Sequence, residues 1–182
     1  MHIPDGYLGP ATCGVFYAAM LPLWTIASKI VKKTLKSRQV PMLAIGAAFS
    51  FVIMMFNVPI LGGSTGHAVG GVLVAILLGP WAATIAISVA LMVQALLFGD
   101  GGIMALGANC FNMAFVMPMV GYLVYRLLSR GSPALSRRRW VAAAVAGYAG
   151  LNGAAITTAV MFGLQPLLAK GPDGRPLYFP YP

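Results

Sequence analysis

The residues able to hold a transition metal or move a proton are few. The chain carries two histidines, His2 and His67, three aspartates, Asp5, Asp100 and Asp173, and no glutamate. Two cysteines, Cys13 and Cys110, sit in apolar stretches without metal-motif spacing and read as inert buried thiols. His2 stands beside the amino terminus. Methionine is removed when the following residue is small, and histidine is not, so Met1 is expected to stay with a free α-amine. The Met1 amine and the His2 amide nitrogen would close a five-membered ring on a metal. The same amide and His2 Nδ1 would close a six-membered one. Three nitrogens then lie near one plane, and a fourth from His67 completes a square-planar site. Such a site suits Ni(II), Cu(II) or low-spin Co(II) better than Zn(II), which prefers a tetrahedron. A metal-bound amide must lose its proton, so affinity should rise with pH.

The elements that must position these groups are membrane helices. Of 182 residues, 59% are hydrophobic and 8% charged, and the mean hydropathy is +0.85. A soluble domain carries roughly 25% charged residues, and a helical membrane span needs about 20 apolar ones. Apolar stretches fall at about 11–31, 41–56, 68–78, 81–98, 103–128 and 140–168. They predict an all-α polytopic bundle of about six transmembrane helices forming a single domain over residues 1–182, with the lipid bilayer as its surroundings. No basic segment followed by an apolar core opens the chain, so no signal peptide is expected.

The net charge of +9 suggests nucleic acid at first sight. Its distribution argues against that. Lys29, Lys32, Lys33, Lys36 and Arg38 follow the first stretch, and Arg126, Arg130, Arg137, Arg138 and Arg139 separate the fifth from the sixth. Both groups belong on the cytoplasmic side. This places the N-terminus outside and requires the short stretch 68–78 to cross, helped by part of the preceding loop buried in protein. His2, Asp5, His67 and Asp100 then share the outer side.

The remaining polar residues have plainer readings. Gly62-Gly63-Ser64-Thr65-Gly66-His67 lacks the lysine of a phosphate loop, so no nucleotide site is expected. Asp100 is a turn residue or an acceptor for a histidine N–H, and Asp5 has the same two readings. Gln94, Asn109 and Asn112 are expected to bond between helices. Met54, Met55, Met113, Met117 and Met119 read as core packing. Small residues at Gly14/Ala18, Ala44/Ala48 and Ala142/Ala146, with Gly147, Gly150 and Gly153, permit close packing within the bundle or against a partner.

Three segments carry a family resemblance. The opening Met1-His2-Ile3-Pro4-Asp5-Gly6-Tyr7-Leu8 resembles the start of the CbiM/NikM proteins, the metal-binding membrane subunits of energy-coupling-factor cobalt and nickel transporters. Gly62–His67 resembles the second histidine motif of that family. Phe98-Gly99-Asp100-Gly101-Gly102, with Leu106-Gly107-Ala108-Asn109, resembles a third. The resemblance implies about seven helices with the N-terminus tucked into the bundle, and metal bound by Met1, His2 and His67. Asp5, Ser64, Thr65, Asp100 and Asn109 are then candidates to support those ligands. It implies Co2+ or Ni2+ as transported substrate, no bound nucleotide and no catalytic residue. It further implies a CbiQ-like coupling subunit, CbiO-like ATP-binding subunits, a small CbiN-like membrane protein, and a prokaryotic cytoplasmic (inner) membrane. The alternative is a stand-alone permease or channel, but few polar groups line up along the helices. An enzyme would need a base that the chain hardly supplies. Family members continue past Tyr178-Phe179-Pro180-Tyr181 into a last helix, which is expected to be missing after Pro182.

Overall fold

The structure, a computed structural model, describes residues 2–60 and 64–179. α1 (Pro10–Thr34) starts on a proline, which is pre-set for a first helical turn, and runs through Pro22. A short 3-10 turn (Ser37–Gln39) leads into α2 (Val40–Met54). A small antiparallel hairpin follows, β1 (Val58–Ile60) with β2 (Ser64–Gly66), where Val58 pairs with Gly66 and Pro59 with Thr65. This pair of three-residue strands is a small addition to an otherwise helical bundle.

α3 (Gly71–Leu78) is only eight residues long. At 1.5 Å per residue it covers about 12 Å, well short of a bilayer. Residues 67–70 before it are non-helical, with Gly70 in the left-handed region (φ 78°), and His67 and Val69 are buried. Non-helical backbone is tolerated at membrane depth when protein surrounds it. The third apolar stretch is thus half loop and half helix. α4 (Pro80–Val93) returns and ends in a wide π turn, Gln94–Phe98, closed by Gly99 in the left-handed region (φ 64°). α5 (Leu106–Asn109) passes through a π segment, Cys110–Val116, into α6 (Met117–Leu128). α7 (Arg137–Leu168) is 32 residues long. It begins three residues earlier than the apolar pattern suggested, since Arg137, Arg138 and Arg139 are good helix formers and Ser136 occupies the cap position. Among the described residues, five stretches are long and apolar enough to cross a membrane: Pro10–Thr34, Ser37–Met54, Pro80–Phe98, Leu106–Leu128 and Arg137–Leu168.

The core lies where α3, α4 and the α5–α6 rod meet α7. Met54, Val72, Ile87, Leu91, Met113, Met117 and Ala146 are buried together there, so three of the five methionines expected to pack do so, whereas Met55 at the end of α2 is exposed and Met119 is half-buried. The small-residue stripes divide. Ala142, Ala146, Gly150 and Ala154 face inward, and a Cβ on Gly150 would meet Val72 and the Met117 carbonyl. Gly14, Ala18, Ala44 and Ala48 are exposed. Asn112 donates to Thr158 Oγ1 at 2.9 Å, the interhelical bond expected of it.

The bundle has a charge axis. α1, the α5–α6 rod and α7 connect two ends. One end carries His2, His67, Asp5, Asp100 and the tail with Asp173; the other carries Lys29 to Arg38 and Arg126 to Arg139. Ten of the twelve Lys and Arg residues are at the second end and all three aspartates at the first.

Candidate metal centre

The N-terminal segment enters the bundle as an extended strand and is held by its main chain. The Ile3 N–H donates to Asn109 Oδ1 at 2.8 Å, and Asn109 Nδ2 donates back to the Ile3 carbonyl at 3.1 Å. Gly102 N–H donates to the same carbonyl at 2.9 Å. A primary amide suits this task because it offers a donor and an acceptor side by side. The Ile3 side chain is fully buried beside Leu8, Ala105 and Ala108. Two residues on, Asp5 receives the Ile103 N–H on Oδ2 (3.0 Å) and the Ala105 N–H on Oδ1 (3.1 Å). Both donors precede α5, where helix-start N–H groups lack partners. A Cβ on Gly102 would coincide with the Asp5 carboxylate, so this glycine is required by close approach. From the opposite side, the Phe179 N–H donates to the Tyr7 carbonyl at 3.2 Å, and the Phe162 and Phe179 rings stack with centroids 4.5 Å apart.

This clamp brings His2 to His67. Their rings stack with centroids 4.9 Å apart and planes 24° apart, although 64 residues separate them in the chain (67 − 2 = 65 positions). His2 Nε2 lies 3.2 Å from Gln94 Oε1, and Nδ1 lies 3.4 Å from Asp100 Oδ1. Gln94 is fully buried, and its Nε2 donates to the Phe51 carbonyl at 3.3 Å. That turns Oε1 toward His2, and Oε1 can only accept. Burial, partly opposed by Asp100, lowers the His2 pKa to about 4, so the ring is neutral near pH 7. A ring that donates from Nε2 to Gln94 Oε1 keeps its lone pair on Nδ1, beside the Asp100 carboxylate, where a cation would be favoured. His67 Nδ1 is 3.2 Å from the Ala68 carbonyl, to which it donates, so the lone pair of that ring is on Nε2.

The π turn explains how Gln94 and Asp100 act on one ring. The Asp100 N–H donates to the Gln94 carbonyl at 3.2 Å, closing the widened turn and setting the two side chains on either side of His2. π turns recur at functional sites because they re-aim side chains.

The expected site residues are therefore distributed as follows. His2, His67 and Asp100 come together, and Asn109 and Asp5 act on the main chain rather than on a histidine. Thr65 is exposed on β2. Met1, residues 61–63, and Pro180 to Pro182 lie outside the described residues, as does the Ser64 side chain. Among the described residues, no group of three or more His, Cys, Asp or Glu side chains converges on a point that could hold a metal. Gln94 was read only as an interhelical amide. Its signal was present in the sequence: it is one of the few amides inside an apolar span, and such groups are costly unless used.

The family model for the cobalt uptake substrate-specific transmembrane region, CbiM, matches residues 2–179. The chain belongs to the CbiM family. It is 57% identical over 182 residues to the fused nickel transport protein NikMN of Rhodobacter capsulatus, covering all of this chain and 52% of that one. It is 52% identical over 187 residues to the probable fused nickel transport protein LarMN of Lactiplantibacillus plantarum, covering 54% of that protein. The chain thus spans about half the length of these relatives. A crystal structure described as a truncated transition metal transporter superposes with a TM-score of 0.92 at 56% identity, over all of this chain and 83% of that one. Family and fold agree on a multi-pass helical membrane protein.

Proposed function

We propose that the chain binds Co(II) or Ni(II) as a transported substrate, through the Met1 amine, the His2 amide and Nδ1, and His67 Nε2. The observation that carries this is the meeting of the two histidine rings, stacked with centroids 4.9 Å apart, with Gln94 Oε1 at His2 Nε2 and the Ala68 carbonyl at His67 Nδ1. We take each ring to donate to that oxygen. The two lone pairs are then on the atoms a planar four-nitrogen site would use, and Asp100 adds negative charge beside them. The names of the relatives support cobalt and nickel as the cargo.

The same reading assigns capture to the outer side, because the histidines are at the end opposite ten cations. The chain would act as the substrate-specific membrane subunit of an energy-coupling-factor transporter of a prokaryotic inner membrane. CbiQ-like, CbiO-like and CbiN-like partners would supply ATP-driven reorientation and release, and the chain itself would do no covalent chemistry. Asn109 and Asp5 hold the first residues at fixed depth, and Gln94 fixes the ring that binds.

The test is a titration of purified protein bearing its authentic N-terminus, read by visible absorption. One-to-one binding of Ni(II) with a square-planar d–d band is expected, tightening as pH rises. A single residue added before Met1 moves the amine and should abolish tight binding. Unchanged binding by the extended protein would rule the chelate out.

A further inference from the structure

The arginine end of the bundle contains a cavity of about 670 Å3, at the far end of the α5–α6 rod from the histidines. Arg126, Arg130 and Arg139 line it, with Tyr122 and Tyr125. Arg126 and Arg139 are each held by hydrogen bonds. Arg126 Nη1 donates to Tyr122 Oη at 3.3 Å. Arg139 donates from Nε to the Ser132 carbonyl at 3.2 Å and from Nη1 to Tyr125 Oη at 3.3 Å. Every one of those acceptors is neutral. The three aspartates of the chain are all at the opposite end, and there is no glutamate. Three guanidinium groups therefore converge with no counter-charge from the described residues. The start of α7 adds to this: its first turn has three arginines and no acidic residue, and the buried Ser132 and Ser136 hydroxyls lack hydrogen-bond partners. An anion in the cavity would pair with the three arginines that line it.

The cavity continues into an apolar groove of about 500 Å3, and Ile76 lines both. The groove follows α7 over Ala143, Ala144, Gly147 and Leu151, facing Leu73 of α3. A Cβ on Gly147 would meet nothing within 4 Å, so the floor is open rather than packed. From Ala143 to Leu151 the groove is about 12 Å long at the helical rise. A charged chamber at bilayer-surface depth joined to an apolar channel running toward the bilayer centre has the shape of one amphiphile.

We propose that this is a binding site for an anionic phospholipid, its phosphate among Arg126, Arg130 and Arg139 and one acyl chain in the groove over Gly147. Charge selects the head group and the groove selects a lipid over a free anion. Basic pockets between helices on the cytoplasmic side bind anionic head groups on the same grounds. The lipid would fill the gap between α3 and α7, bracing the half-loop crossing that carries His67.

The test uses the purified full chain in neutral detergent, with dioleoylphosphatidylglycerol, dioleoylphosphatidylcholine, glycerol phosphate and inorganic phosphate as separate probes. Retention is read by native mass spectrometry and melting temperature. Phosphatidylglycerol should be retained and raise the melting temperature, and phosphatidylcholine and the two soluble phosphates should do neither. The double variant Arg126→Gln/Arg139→Gln should weaken phosphatidylglycerol retention about tenfold or more. Gly147→Leu, which fills the groove without touching charge, should weaken it as well. Lipid-free melting temperature and helicity of both variants serve as the control for folding. Equal retention of the two lipids would overturn the proposal, as would unchanged retention by either folded variant. Arginine-dependent binding of inorganic phosphate without lipid preference would replace it with a free-anion site. If the double variant keeps its lipid but loses copurification with transporter partners, the cavity is instead a dock for an acidic protein segment, and the lipid proposal fails.

Discussion

At the scale of single residues, the chemistry depends on which nitrogen of each ring keeps its proton. Gln94 acts on His2 through Oε1 because its own Nε2 is committed to the Phe51 carbonyl. Gln94→Leu removes the acceptor and lets His2 exchange tautomers and rotate. It should lower nickel affinity about 10- to 100-fold, the range usual for a residue that orients a metal-binding histidine. The melting temperature of the metal-free protein should move far less. Titration and melting of the same preparation separate the two effects. His67→Ala should cost affinity and leave helicity intact; unchanged affinity would remove His67 from the site. Asp100→Asn keeps the shape and removes the charge beside Nδ1, so it should weaken binding less than His67→Ala.

At the scale of elements, the N-terminal strand is positioned by helix ends. Asn109→Ala would leave the buried Ile3 N–H without its partner and the carbonyl with one donor fewer. Each buried orphan costs about 1–3 kcal/mol. Gly102→Ala would drive a methyl group into Asp5, an overpacking change of about 1–3 kcal/mol. Both variants should leave the five long helices formed while freeing residues 2–9. The measurement is limited proteolysis or hydrogen exchange of that segment, set beside the circular dichroism of the whole. Protection equal to the wild type in both variants would show that the clamp does not hold the strand. The third crossing belongs to this scale too. The helix there has only eight residues, and the non-helical residues before it bury His67 and Val69 while leaving Ala68 exposed.

At the scale of the whole molecule, the charge axis predicts orientation. Ser37 lies in the cluster of Lys and Arg after α1, and Asp173 lies in the tail near the N-terminal strand. In intact cells, a membrane-impermeant maleimide should label Asp173→Cys and spare Ser37→Cys until the membrane is opened. Cys13 and Cys110 are buried and should contribute little background. Labelling of Ser37→Cys from outside would invert the topology and with it the side of metal capture.

The sequence by itself determined the membrane class, the positions of the long helices to within a few residues, and the two charged ends. These follow from composition and local patterning, which act over one helix at a time. It also put a histidine at position 2, where amine, amide and imidazole are joined by covalent geometry alone. Tertiary structure decided what was non-local. Gln94 lies 92 positions from His2, and Asn109 lies 106 positions from Ile3. No periodicity reports such pairings. They arise because two π turns and a half-helical crossing set buried amides against one strand, and a buried amide takes whichever partner the packing leaves within hydrogen-bond reach. The inward and outward fates of the small-residue stripes were open for the same reason: alanine and glycine permit close approach, and only the neighbouring helix decides where it happens.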